Sequence, residues 1–88
     1  MEIPSKFYLG GIEWTVIYKD NLFESQGRCD PVSATILLER NSNKQVLHQC
    51  FVHELVHCLF YQAGVVEHDE VQVDKLSYTL HQYLEQQK

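Results

Sequence analysis

The sequence predicts an α+β fold: a small antiparallel sheet of about three strands followed by two packed helices. Three observations predict it. The first forty residues alternate apolar and polar side chains between Gly- and Pro-containing turns. Residues 42–63 then run without Gly or Pro, and residues 70–85 repeat apolar side chains at three- and four-residue spacing. The 88 residues allow one domain, 1–88, and not two. A chain this size buries only about 60–65% of its unfolded surface, so its core is thin and a bound metal would help to hold it.

The elements follow in order. Lys6–Leu9 and Ile12–Tyr18 flank Gly10-Gly11, a dipeptide suited to a tight hairpin. In the second run Ile12, Trp14, Val16 and Tyr18 alternate with their neighbours as in a half-buried strand. Asp20–Arg28 is polar and irregular, with Gly27 a turn signal, and Asp30-Pro31 favours a turn. Ser33–Glu39 is the third strand, and Arg40–Lys44 a polar break. Ser42 and Gln45 have capping-box spacing for the first helix, which ends at Gly64. That helix is apolar around most of its circumference, so it is expected to be central. The second starts at an Asp69 cap and continues to about Glu85, with Val73, Leu76, Leu80, Tyr83 and Leu84 as its contact stripe.

Composition narrows the function. Twelve acidic against seven basic residues give a net charge of −5, which argues against phosphate-backbone or anionic-membrane partners. The longest apolar run, Cys50 to Tyr61, is interrupted by His53, Glu54 and His57 and is too short to span a bilayer. No signal-peptide pattern is visible, so a cytoplasmic protein is expected. Cys29, Cys50 and Cys58 show no CxxC spacing and read as thiols packed as small hydrophobes.

His53-Glu54-Leu55-Val56-His57 is an H-E-x-x-H run on the central helix. Residues four apart stack one turn above each other, roughly 6 Å between Cβ atoms, so both imidazoles can reach one Zn²⁺. Glu54 lies about 100° round the helix from His53. It flanks the ligands, as a base acting on a water beside the metal must. Two imidazoles and a carboxylate would be costly to bury on an apolar helix without a partner, and a metal supplies one.

A catalytic zinc needs a third protein ligand. The metzincin continuation is excluded, because Phe60 and Ala63 occupy its Gly and His positions. Glu70, in the first turn of the second helix and beside its apolar stripe, is the preferred third ligand; His68 and Asp69 are alternatives. Asp74, one turn on, can accept the second N–H of a ligating imidazole. His81 lies about 16 Å along the helix from Glu70, too far for the same ion. Cys50 reads as packing, and Tyr61 is a candidate donor to an oxyanion or simply an aromatic ending the helix.

These residues resemble the small phage- and bacterium-encoded zincin-like metallopeptidases, minimal gluzincins related to ImmA/IrrE- and SprT-type domains. The likeness rests on His53-Glu54-Leu55-Val56-His57, on Tyr61-Gln62-Ala63-Gly64 ending the helix, and on Glu70-Val71-Gln72-Val73-Asp74 opening the next. Gly10-Gly11-Ile12, Gly27 with Asp30, and Thr35–Leu38 are similar to that family's short sheet. The resemblance implies a zinc-dependent peptidase acting on a peptide or protein substrate, with His53, His57 and Glu70 as Zn²⁺ ligands. Glu54 is then the general base for a metal-activated water. By analogy, Thr35–Leu38 is the strand edge on which an extended substrate docks. The competing reading is a non-catalytic binding or regulatory module with a closed, structural zinc site, its fourth ligand drawn from Cys50, His68 or Asp69.

Overall fold

The computed structural model describes residues 1–22 and 27–87. Gly10 and Gly11 both have positive φ, at 56° and 82°, the condition for the two-residue turn whose twist matches the flanking strands. They join β1 (Lys6–Leu9) to β2 (Ile12–Lys19) as an antiparallel pair with Leu9 opposite Ile12. Trp14 and Val16 turn inward from β2, while Ile12 and Tyr18 at its ends are exposed. Phe7 stacks on Trp14 and meets Phe51 edge-on.

The α+β class and the two packed helices are as expected, but the sheet has four strands and is mixed. Part of the stretch expected to be irregular, Gly27–Asp30, is a strand, β3; residues 23–26 of that stretch lie outside the described residues. β3 pairs antiparallel with β4 (Thr35–Glu39), and β4 pairs parallel with β2, giving the order β1-β2-β4-β3. The physical reason is length. Parallel neighbours need a crossover of a dozen or more residues, and residues 20–34 supply one that carries β3 within it. The strand expected to offer an edge, Thr35–Leu38, is therefore interior, with Ile36 and Leu38 fully buried; the edges are β1 and β3.

α1 (Lys44–Gln62) lies against β3 and β4 and also against α2 (Glu70–Glu85). Its cap is Asn43, whose Oδ1 accepts from Val46 N at 2.9 Å. The expected Ser42 box is thus displaced by one residue, because Asn is an equally good cap and sits where the helix begins. At the other end Gly64 N donates to Tyr61 O and Val65 N to Phe60 O, with Gly64 at φ 80°. This is the paired-bond ending that a glycine permits. Asp69 caps α2 through Val71 N, as its position predicts.

Phe51, Val52, Val56 and Cys58 of α1 complete the core with Val73 of α2. The contact line of α2 differs from the expected stripe. It runs through Val73 and Ser77, both buried, to half-buried Leu80 and Leu84, while Leu76 and Tyr83 are 51% and 55% exposed. Ser77 is small enough for the helices to approach, and its hydroxyl donates to Asp74 O, so its polarity is no obstacle. Cys29 Sγ and Cys58 Sγ approach to 3.3 Å between β3 and α1. The neighbouring Cys29 sulfur and then burial push the Cys58 thiol far up. Among the described residues no helix is long and apolar enough to cross a membrane.

Candidate metal centre

His53 and His57 stand one turn apart on α1, where α1 meets the first turn of α2, so both rings face Glu70. Their Nε2 atoms lie 3.0 and 3.2 Å from one oxygen, Glu70 Oε1. The three ligand atoms all fall within 4.8 Å of one another. Donors around a tetrahedral ion with bonds of about 2.0–2.2 Å are spaced roughly 3.3 Å apart, so the two edges that meet at Glu70 Oε1 are already near the required length.

The back of each ring fixes what its front offers. His68 Nδ1 is 3.0 Å from Val65 O, which can only accept, so that nitrogen carries the proton. In a neutral ring His68 Nε2 is then a lone pair, and His57 Nδ1, 2.7 Å away, donates to it. His53 Nδ1 faces Asp74 Oδ1 at 3.2 Å and donates to the carboxylate. When both rings are neutral, these back contacts leave the lone pairs on the two Nε2 atoms, turned toward Glu70 Oε1. In that tautomer the three acceptors repel one another until a proton or a metal ion lies between them. Burial lowers the His57 pKa and so resists protonation as the remedy; the Glu70 charge opposes this. Two imidazole nitrogens and one carboxylate oxygen fit a borderline metal such as Zn²⁺.

Glu54 is 8% exposed and sits beside the triangle, not in it. Burial raises its pKa to about 7; the His53 charge works against the rise and the Glu70 charge adds to it. A carboxyl group poised there can accept and return a proton near neutrality. Room for it comes from Gly27 of β3, since a Cβ at that position would lie 3.2 Å from Glu54 Cγ and 3.4 Å from Oε2. Sequence reasoning took Gly27 for a turn signal; its site role arises only once β3 has paired.

The remaining expectations separate cleanly. His68 takes part as the partner of His57 Nδ1, stacked on Phe60, and its ring nitrogens are spent on His57 and Val65. Asp69 is occupied as a cap. Tyr61 lines the cavity over the triangle, about 290 Å³ with Gly27, Arg28 and Cys29 on its far wall, and meets His68 edge-on. Cys50 lines an adjoining cavity of about 400 Å³ that shares His53, Glu54 and Gly27 with the first. Its thiol is raised by burial, then by the Glu54 charge. The relay through His68 was missed because it depends on the loop returning to Val65; the available signal was a helix-ending glycine four residues before a histidine. Compared with known protein families, curated proteins and solved structures, the chain matches none of them.

Proposed function

We propose that this chain is a zinc-dependent peptidase of the zincin type, acting in the cytoplasm on a peptide or protein substrate. The observation that carries the reading is Glu54: a buried carboxyl group with a pKa near 7, beside two imidazoles and a carboxylate that fit one ion. A purely structural zinc site gains nothing from such a neighbour. His53, His57 and Glu70 hold the ion, which when bound acts as a Lewis acid toward water and a substrate carbonyl. Glu54 takes the proton of the attacking water and returns it to the leaving amine. Asp74 and His68 keep the two rings in the tautomer that ligation needs. β3, an edge strand whose Gly27, Arg28 and Cys29 line the cavity, offers backbone groups to an extended peptide. The acidic balance of the chain speaks against a nucleic-acid or membrane partner.

The test compares parent and Glu54→Gln at equal zinc occupancy against a cytosolic lysate. Fragments that form only with the parent support the peptidase. Proteins captured by both and cut by neither replace it with the non-catalytic binding module.

A further inference from the structure

At the opposite end of the helix pair, the same set of donors occurs a second time. His48 Nδ1 and His81 Nε2 lie 3.2 and 3.1 Å from a single oxygen, Glu85 Oε1, and the three atoms again fall within 4.8 Å of one another. We propose that His48, His81 and Glu85 form a second site for a divalent transition metal, of the Zn²⁺ class, that ties the last turns of α2 to the first turns of α1.

The two helices contribute unequally. His81 and Glu85 are four apart on α2, so one helical turn presents both donors on one face. His48 comes from α1 and is buried, so its ring is held where it points. The two distances to Glu85 Oε1 are close to the edge of a tetrahedral zinc site, roughly 3.3 Å. Without metal, both rings can donate N–H groups to Glu85 Oε1. Binding needs each ring to offer a lone pair where it would otherwise carry that N–H. Glu85 Oε2 faces away from the triangle, toward the Met1 ammonium at 3.5 Å. The Glu85 side chain is partly exposed, so water can complete the coordination. His81 lies eleven residues beyond Glu70, about 16 Å along α2, so the two triangles take separate ions. Joining two helices of a thin core at their free ends is the contribution a structural metal makes in small domains.

The test titrates the metal-stripped chain with Zn²⁺, counting bound ions by mass spectrometry and following imidazole ¹⁵N shifts by NMR. Two equivalents are expected for the parent, falling to one in His81→Gln and, independently, to one in Glu70→Ala. In the parent, the His48 and His81 ring nitrogens should shift with one of the two equivalents. If these rings stay unshifted at saturating zinc, the second site is overturned, and that measurement needs no variant to fold. If the parent binds one ion that survives Glu70→Ala and disappears in His81→Gln, the second site stands and the assignment at His53, His57 and Glu70 fails instead.

Discussion

The two His-His-Glu triangles share donor types and spacing, yet their surroundings differ. At His53, His57 and Glu70 the back nitrogens are held by Asp74 and His68, and a buried carboxyl group stands alongside. At His48, His81 and Glu85 the carboxylate instead faces a terminal ammonium on its other oxygen. The difference teaches that the second triangle carries only what holding an ion would need, whereas the first adds the held ring nitrogens and adjacent proton acceptor that metal-assisted hydrolysis would need. Four predictions break or sharpen that contrast.

The largest effect is expected from Glu54→Gln, which should lower peptide hydrolysis by about 10²–10⁴-fold while zinc content at the first triangle stays unchanged. Initial rates at matched occupancy check it; loss of the metal along with activity would make Glu54 a ligand. Next, Asp74→Asn and His68→Phe should each weaken zinc binding at the first triangle about 10–100-fold. The phenylalanine keeps the stacking on Phe60 and removes only the nitrogens. Competition with a chelator measures this, and binding at the second triangle should not move.

The third prediction concerns pH. Because burial raises Glu54 to about 7, the metal-free folded chain keeps a proton that the unfolded chain releases near pH 4.5. Stability from this group is therefore full below the unfolded value and is lost as pH rises through about 7. The loss is on the order of 2–3 kcal/mol. Urea midpoints in chelator should fall less between pH 5 and pH 8 for Glu54→Gln than for the parent. The smallest effect is expected from Gly27→Ala, whose Cβ would press on Glu54. It should cost about 1 kcal/mol of stability and slow hydrolysis about tenfold through misplacement of the base. Equal stability losses in a Glu54→Ala background, which removes the Cγ, would show that the pressure falls elsewhere.

What could be read in advance was local. Gly10-Gly11, Gly64 and Asp69 each act within a few residues, so their roles as turn, helix end and cap follow from their own chemistry. The convergence of His53, His57 and Glu70 was legible too, because helix periodicity aims the histidines and the apolar face of α2 aims the glutamate. What escaped depends on partners far away in the chain. β3 has only four residues, Gly-Arg-Cys-Asp, and no apolar alternation, so it is a strand only because β4 pairs with it. Ser77 looks polar in a stripe count, yet it is almost fully buried beside Val73 on the inner line of α2. Glu85 marked only the end of the second helix, because His48, its partner on α1, lies 37 residues earlier.

The glycine that ends α1 reaches further than a helix ending suggests. Gly64 adopts φ 80°, which turns the chain so that Val65 O receives His68, and His68 receives His57. A backbone carbonyl thus acts as the fixed terminal of a two-ring wire whose far end is a lone pair at the first triangle. A Cβ at position 64 would meet open space, so Gly64→Ala carries only the strain of its backbone, about 1–2 kcal/mol. Relaxing that strain would swing the carbonyl and free His68 to change tautomer. The tautomer of His57 is therefore held from a loop that does not reach the nitrogen facing Glu70.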